Sequence, residues 1–331
     1  RDATVTMTRT LGRSGIEVSA LGMGTWSLSG PMRGGDDQNF GWGATDDAEA
    51  QRAIRLAVEL GVTLFDTANV YGLGHSERLL GAALAGVRDQ VVIATKWGGT
   101  FDEAAGVLLD DDGTPENVRP SLLGSLRRLG TDHVDLFQFH INGHPPTLAE
   151  DLVAVCEDLV AEGLIRAYGW STDFPESAEV FAKGPHCAAV QHQFNVLSDN
   201  RPMLDLCERH DLASLNRGPL AMGLLSDRVT AQTTFAPDTV RGSAPEWLAW
   251  FADGRAVPEF LARRDSVRDI LTSDGRTVAQ GALGYIWARS GRTIPLPGCR
   301  TVAQVVESAG ALRLGPLTGA QVEEIDRILA G

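Results

Sequence analysis

The strongest constraint on the fold is a repeated alternation of short apolar strands and amphipathic helices along most of the chain. Apolar segments such as residues 62–65 and 91–95 are each followed by a segment with helical periodicity. Counted from residues 20–25 to the helix at 301–312, the sequence contains eight such units. Apolar strands that alternate with helices predict a parallel sheet covered by helices.

Eight units within 331 residues favour an α/β fold of the closed (β/α)₈ type, a TIM barrel. The alternative is an open doubly wound sheet, but no G-x-G-x-x-G motif follows the first strand. The sequence also predicts an N-terminal β-hairpin, an extra C-terminal helix, and a long loop after strand 7 that contains a helix near residues 257–271. One domain is predicted over residues 8–331, with residues 1–7 as a disordered start outside it.

Composition narrows the class of protein. The 29 basic and 43 acidic residues give a net charge of −14, which argues against nucleic acids and anionic membranes as partners. No apolar run reaches the ~18 residues of a membrane span, and no secretory signal is predicted. The cysteines have no metal-ligand spacing, so we expect free thiols in the reducing cytoplasm and no metal site. The expected partner is a small molecule, and the oligomeric state stays open.

Polar side chains stand where several strands end, which is where barrel enzymes place their sites. Strand 2 ends in Asp66, with Tyr71 in the following loop; strand 3 ends in Lys96 and strand 4 in His140. A lysine at the end of an apolar strand is costly to bury unless it is paired, and Asp66 is its natural partner. Taken singly, Lys96 and Asp66 could instead form a buried ion pair that fixes the register of the strands. His140 could be a hydrogen-bonded histidine of the core.

The segments around these residues resemble the aldo-keto reductase superfamily. In chain order they are residues 21–26 (Leu-Gly-Met-Gly-Thr-Trp), 65–72 (Phe-Asp-Thr-Ala-Asn-Val-Tyr-Gly), 94–98 (Ala-Thr-Lys-Trp-Gly), His140, 169–172 (Gly-Trp-Ser-Thr), 219–225 (Pro-Leu-Ala-Met-Gly-Leu-Leu) and 297–301 (Pro-Gly-Cys-Arg-Thr). Each motif alone is moderately specific. Their occurrence in this order over residues 8–312 makes the resemblance strong.

The resemblance implies a catalytic tetrad of Asp66, Tyr71, Lys96 and His140, and the NADP(H)-dependent reduction of an aldehyde or ketone to an alcohol. Tyr71 would give a proton to the carbonyl oxygen as hydride arrives at the carbon. A free tyrosine has a pKa of about 10, and Lys96 is expected to lower that pKa. Asp66 would keep Lys96 charged and in place, and His140 would orient the carbonyl oxygen.

The resemblance also implies a set of cofactor contacts. Ser171, Thr172 and Gln191 match positions that hold the nicotinamide carboxamide, although many members have asparagine in place of Thr172. Arg217 stands where an aromatic residue commonly stacks on the nicotinamide ring, and we predict that its guanidinium replaces that residue. The predicted contacts are Gly24, Thr25, Trp26, Asp66, Ser171, Thr172, Gln191, Arg217, Gly218, Leu220, Gly223, Gly298, Arg300, Gln304, Glu307 and Ser308.

The choice between NADPH and NADH depends on residues near the last barrel helix. Arg300 precedes that helix and is predicted to bind a 2′-phosphate, which favours NADPH. NADH is not excluded, because the lysine and arginine that several members carry near Gly298 and Gln304 are missing. Thr301 and Gln304 equally fit a helix capping box. Substrate contacts are predicted at Trp26, Tyr71, Trp97 and His140.

Three other functions stay open at this point. The first is a ketosugar reductase of a biosynthetic pathway. The second is a nucleotide-binding regulatory subunit with little turnover, against which the complete tetrad argues. The third is a lyase or hydrolase on the same barrel, which would bind no nicotinamide.

Overall fold

The computed structural model describes residues 7–35 and 38–331, and most of them form one barrel sheet with surrounding helices. Eight parallel strands hydrogen-bond in reverse chain order from the eighth to the first, and a parallel bridge between Gly24 and Gly298 joins the two ends. The strands are β1 Gly22–Gly24, β2 Leu64–Asp66, β3 Val92–Trp97, β4 Val134–Phe139, β5 Ile165–Ser171, β6 Cys187–Gln193, β7 Ala213–Arg217 and β8 Thr293–Pro295. The predicted (β/α)₈ barrel is confirmed.

A helix lies between each strand and the next and covers the outside of the sheet. These helices are α1 Asp47–Glu59, α2 His75–Leu84, α3 Val118–Leu129, α4 Glu150–Ala161, α5 Pro175–Ala182, α6 Arg201–His210, α7 Val278–Arg289 and α8 Val302–Leu314. Local capping fixes several of their starts. Asp46 accepts hydrogen bonds from the first turn of α1, and Thr277 and Gln280 form a capping box at α7.

The predicted N-terminal hairpin closes the end of the barrel where the strands begin. Its strands, Thr8–Thr10 and Glu17–Ser19, pair antiparallel. Leu11, Ile16 and Val18 belong to the same buried apolar cluster as inward-facing residues of the barrel strands. The interior is therefore filled at this end, and a site can form only at the opposite end, where the strands finish.

The segment between β7 and α7 is an inserted unit with its own secondary structure. It contains the helices Val240–Ser243, Pro258–Ser266 and Arg268–Leu271 and a hairpin of Phe251–Ala252 with Arg255–Ala256. The predicted helix near residues 257–271 is thus two helices. The buried guanidinium of Arg264 donates to the carbonyls of residues 224, 226 and 229 and fixes the first part of the insertion.

Other short elements complete the described chain. A two-stranded hairpin of Phe101–Asp102 and Val107–Leu108 follows β3, and helix α9, Gly319–Ala330, is the predicted extra C-terminal helix. Apart from Met7, the predicted disordered start lies outside the described residues, and the assignment of residues 8–331 to one domain stays a prediction.

The cysteines and the helix lengths can be compared with the expectations from composition. All four cysteines are buried free thiols. Among residues 7–35 and 38–331, none of the helices is both long and apolar enough to cross a bilayer.

Candidate active site

A cleft of about 360 Å³ opens at the end of the barrel where the strands finish. Its walls come from the ends of β1, β2, β6, β7 and β8 and from the insertion after β7. The predicted cofactor residues that line it are Gly24, Thr25, Trp26, Asp66, Gln191, Arg217, Gly218, Leu220, Gly223, Gly298, Arg300 and Gln304. The predicted substrate residues Trp26 and Tyr71 line it as well.

Lys96 joins the members of the predicted tetrad. Its Nζ donates to Asp66 Oδ2 at 2.6 Å, to the Thr67 carbonyl at 2.8 Å and to Tyr71 Oη at 3.2 Å. Lys96 is fully buried, and Asp66 and Tyr71 are nearly so. The ring of His140 meets the Tyr71 ring edge-to-face, with centroids 6.0 Å apart. The ends of β2, β3 and β4 are neighbours, which brings all four residues together.

Burial dominates the protonation of this cluster. It raises the pKa of Tyr71 above its usual value. Lys96 lowers that pKa, as expected, but by less than burial raises it. Burial alone would lower the pKa of Lys96, but Asp66 and Tyr71 together outweigh burial, and the pKa is raised. Burial, and then the charges of Lys96 and Arg217, hold the pKa of His140 well below its usual value. Near neutral pH the site therefore presents a protonated phenol, an ammonium group and a neutral imidazole.

Asp66 is also held through its second oxygen. Oδ1 accepts hydrogen bonds from Nε2 of Gln138 and from Nε2 of Gln191, both at 3.0 Å. Gln191 Nε2 also donates to Gln138 Oε1 at 2.9 Å. The sequence analysis did not predict Gln138 as a site residue. Its position could have indicated it, because it is a polar residue in an apolar strand, two residues before His140 and therefore on the same face.

Trp97 lies outside the site. Its side chain is fully buried and stacks on Phe137 and Phe139, with ring centroids 4.5 Å and 5.2 Å away. Successive residues of a strand point to opposite faces, so Lys96 in the barrel interior places Trp97 among the outer helices. The predicted substrate contact of Trp97 is wrong.

The residues predicted to hold the carboxamide are already engaged with protein groups. The Thr172 hydroxyl donates to the carbonyl of Asn142 at 2.9 Å, and Ser171 Oγ accepts from Arg217 Nη1 at 3.3 Å. Neither Ser171 nor Thr172 lines the cleft, whereas Arg217 does. A hydroxyl that donates to one group can still accept a hydrogen bond from another, so the carboxamide contacts of Ser171 and Thr172 stay predictions.

The start of α8 serves both as a helix cap and as part of the cleft. Thr301 Oγ1 accepts from the Gln304 backbone at 3.2 Å, and Gln304 Oε1 accepts from the Arg300 backbone at 2.7 Å. Glu307 and Ser308 lie one turn further along and do not line the cleft. Glu307 instead faces Arg228. Direct cofactor contacts by Glu307 and Ser308 stay predictions.

Aromatic side chains wall the tetrad end of the cleft. The ring of Trp26 stacks on Tyr71 at 6.3 Å between centroids and also meets Trp42 and Trp247. Trp247 comes from the insertion and is 58% exposed. It was not predicted, because nothing local in the sequence shows where the insertion folds back over the barrel.

Three arginines of the cleft, Arg228, Arg241 and Arg300, lie close together, and only Arg300 was predicted. The Arg241 guanidinium packs over two aromatic rings and donates to the Met222 carbonyl at 3.2 Å. Burial, with further contributions from Arg300 and Arg228, lowers the pKa of Arg241 to about 10. In the described part of the chain no carboxylate pairs with Arg241 or Arg300, and Arg228 reaches Glu307 only at 3.5 Å. Such a concentration of positive charge indicates a binding site for an anion.

The loop between the tetrad and these arginines is conformationally strained. Ala221 and Met222 have φ of 51° and 55°, in the left-handed region that costs a non-glycine residue about 1–2 kcal/mol. Gly218 and Gly223, with φ of 62° and 96°, take up the other sharp turns. Strain of this kind is characteristic of backbone that is shaped around a ligand.

Unused polar groups in the cleft fit an extended ligand. Ser27 Oγ, Trp42 Nε1 and Arg241 Nε are buried and find no hydrogen-bond partner among the described residues, and all three residues line the cleft. Buried polar groups are normally satisfied, so these atoms point to a missing partner. A molecule with a ring near the tetrad and phosphates near the arginines would match both parts of the cleft.

The fold and this cluster together define an oxidoreductase of the aldo-keto reductase type. The model of the aldo/keto reductase family matches residues 20–330, and the chain therefore belongs to that family. The resemblance drawn from the motifs is confirmed.

Bacterial relatives align with nearly the whole chain. Aldo-keto reductase YhdN of Bacillus subtilis (strain 168) is 30% identical over 321 residues, covering 96% of this chain and 91% of that protein. The NADH-specific methylglyoxal reductase of Escherichia coli (strain K12) is 28% identical over 317 residues, covering 92% of this chain and 93% of that protein.

Solved structures show the same architecture. The glycerol dehydrogenase AKR11B4 from Gluconobacter oxydans superimposes with a TM-score of 0.78 at 30% identity, covering 95% of this chain and 92% of that one. An aldo-keto reductase from Klebsiella pneumoniae in complex with NADPH superimposes with a TM-score of 0.67 at 25% identity, covering 98% of this chain and 96% of that one.

Proposed function

We propose that this chain is an NADP(H)-dependent reductase that converts an aldehyde or ketone into an alcohol, with Tyr71 as the proton donor. The observation that carries the proposal is the contact of 3.2 Å between Lys96 Nζ and Tyr71 Oη, with Lys96 held by Asp66. A phenol that stays protonated at neutral pH beside a fixed cation can give its proton to an alkoxide as the alkoxide forms.

A bound nicotinamide cofactor supplies hydride to the carbonyl carbon. Tyr71 Oη donates its proton to the carbonyl oxygen, and Lys96 stabilises the phenolate that is left. The neutral His140 ring donates a second hydrogen bond to the same oxygen and fixes its direction. Asp66 keeps Lys96 protonated, and the Trp26 ring on Tyr71 keeps water from the proton donor.

The cleft also supports an assignment of cofactor contacts. Arg241 bonds the carbonyl of Met222 in the strained loop, so we assign it to the pyrophosphate. Arg300 stands immediately before α8 and is assigned to the 2′-phosphate. The similar Klebsiella pneumoniae enzyme is in complex with NADPH, whereas the E. coli relative is NADH-specific. The extra positive charge of the cluster favours NADPH for this chain.

The function is tested by mixing the purified protein with NADPH and a panel of aldehydes that includes nitrobenzaldehydes, and following absorbance at 340 nm. Loss of absorbance that depends on both components is expected. A ketosugar series belongs in the panel, since the similar Gluconobacter oxydans structure is a glycerol dehydrogenase. Tight NADPH binding without turnover of any carbonyl would instead favour a regulatory subunit, and no nicotinamide binding would favour a lyase or hydrolase.

Arg300→Gln is expected to raise KM for NADPH about 10- to 100-fold, which is the loss of one charge-assisted hydrogen bond to a phosphate. KM for NADH should change less than about threefold, because NADH lacks the 2′-phosphate. Steady-state kinetics with both cofactors at one salt concentration measure the difference. Arg313→Gln, at the far exposed end of α8, is the matched control and should alter neither constant. Equal losses with both cofactors would place Arg300 elsewhere than at the 2′-phosphate.

A further inference from the structure

Asp173 connects the ends of four neighbouring strands. Its Oδ2 accepts from Arg217 Nη2 at 2.8 Å, and its Oδ1 accepts from the Gln193 backbone at 2.8 Å. The Asp173 backbone donates to Asn142 Oδ1 at 2.7 Å, and Asn142 Nδ2 donates back to Asp173 Oδ2 at 3.3 Å. These bonds fix the carboxylate independently of the arginine. Arg217 is therefore held by a group that is itself already in place.

Arg217 is a cation of the cleft that lies close to the tetrad. Its guanidinium is anchored a second time, by Ser171 Oγ at 3.3 Å, and about a third of the side chain is exposed in the cleft. Its charge reaches two members of the tetrad, because it lowers the pKa of Tyr71 and of His140. Two anchors on a planar group leave it little freedom.

A nicotinamide ring bound in this cleft would lie near this guanidinium. Hydride transfer requires the ring in contact with a carbonyl that is bonded to Tyr71. The phosphates of the cofactor would be held by Arg241 and Arg300, which line the same cleft. Arg217, Gly218 and Leu220 line the cleft, and the charge of Arg217 acts on Tyr71. A ring close enough to Tyr71 for hydride transfer would therefore have Arg217 as a neighbour on the β7 side.

We propose that Asp173 is a positioning residue that holds Arg217 against the nicotinamide, and that Arg217 makes the site prefer the reduced cofactor to the oxidised one. This inference rests on the proposed function. Oxidised nicotinamide carries a positive charge and reduced nicotinamide does not, so a guanidinium beside the ring repels only the oxidised form. Asp173 cancels part of that charge, and the remaining discrimination is expected to be about 3- to 10-fold. The pair thereby favours reduction and release of the oxidised cofactor.

The test is the ratio of the dissociation constants of NADP⁺ and NADPH, measured at low salt by quenching of the tryptophan fluorescence of the cleft. Arg217→Gln should lower this ratio about 3- to 10-fold, and Arg217→Lys, which keeps the charge, should leave it within about twofold of wild type. An unchanged ratio in Arg217→Gln would overturn the role of the charge.

Asp173→Asn tests the positioning role. Asparagine can keep the bond from the Gln193 backbone, but it turns an amide N–H toward the guanidinium and releases it. The ratio should therefore fall to the value of Arg217→Gln, with no further change when both substitutions are combined. If Asp173 had a merely structural role, the substitution would weaken the binding of NADP⁺ and NADPH equally and leave the ratio of their dissociation constants unchanged. An unchanged or raised ratio overturns the inference alone, whereas a wild-type protein that binds neither nucleotide overturns the proposed function as well.

Discussion

Replacement of Tyr71 by phenylalanine is expected to lower kcat for aldehyde reduction by about 10²- to 10⁴-fold, the usual contribution of a positioned general acid. The substitution removes one hydroxyl and leaves the ring that packs on Trp26. Lys96 keeps its bonds to Asp66 and to the Thr67 carbonyl, so the buried cluster stays satisfied. The affinity for NADPH should change less than about twofold, because the hydroxyl acts in the transition state and not in cofactor binding.

The chain offers a matched control for this experiment. Tyr285 is another buried tyrosine, and its hydroxyl donates to the carboxylate of Asp326 at 2.7 Å. It does not line the cleft. Tyr285→Phe should keep the turnover of the wild type. Single-turnover mixing of enzyme, NADPH and aldehyde separates the chemical step from product release. Full activity of Tyr71→Phe would remove Tyr71 as the proton donor.

The raised pKa of Tyr71 changes how its role is understood. From the sequence, Lys96 was expected to lower the pKa of the phenol, and its charge acts in that direction. The structure shows that burial outweighs Lys96, so the phenol holds its proton across the neutral range. Lys96 then acts mainly when negative charge appears on the phenol during the reaction. The sign of the net shift in the Tyr71 pKa could not be obtained from the sequence, because it depends on how completely the rings around Tyr71 exclude water.

The sequence was informative wherever the fold itself dictates proximity. In a parallel barrel all strands finish on one rim, so polar residues that end successive strands must meet there. This argument alone brought Asp66, Lys96 and His140 together. The same reasoning, applied strictly, excludes Trp97, because a strand that turns Lys96 inward must turn the next residue outward.

The insertion after β7 shows where sequence reasoning stops. Arg228, Arg241 and Trp247 line the cleft only because residues 218–277 fold back over the barrel. That path is set by long-range contacts, such as those of the buried Arg264 with three backbone carbonyls. Neither helical periodicity nor turn residues record such contacts. The arginine cluster was therefore predicted only through Arg300, which lies at the end of a recognised strand–helix unit.

Asp66→Asn is expected to lower the free energy of unfolding by about 3–5 kcal/mol at pH 7, since it leaves a fully buried ammonium group without its counter-charge. In the wild type Asp66 accepts from Lys96, Gln138 and Gln191. Asparagine must turn one N–H toward these donors and loses at least one of the bonds. Total stabilities of about 5–15 kcal/mol are typical of proteins, so this single change removes a large share. Urea unfolding followed by circular dichroism measures it.

The pH dependence of stability identifies the cause. In the wild type the pKa of Lys96 is raised, so its contribution is present below about pH 10.4, the value of an unfolded lysine, and is lost only at still higher pH. Asp66→Asn removes the strongest influence that opposes burial, so the pKa of Lys96 is expected to fall below its unfolded value. Between that lowered pKa and about pH 10.4 the unfolded state then binds more protons than the folded state. The variant should therefore gain stability as the pH rises from about 7 to 10, while the wild type does not.

Glu77→Gln is the matched control, because Glu77 is also a fully buried carboxylate but pairs with Arg128, which does not titrate in this range. It should lose stability without gaining it back at higher pH. If Asp66→Asn and Glu77→Gln showed the same flat pH profile, Lys96 would not depend on Asp66 for its charge, and the electrostatic basis assigned to the tetrad would be wrong. Recovery of stability in Asp66→Asn alone ties the charge of Lys96, and with it the environment of the proton donor, to this one carboxylate.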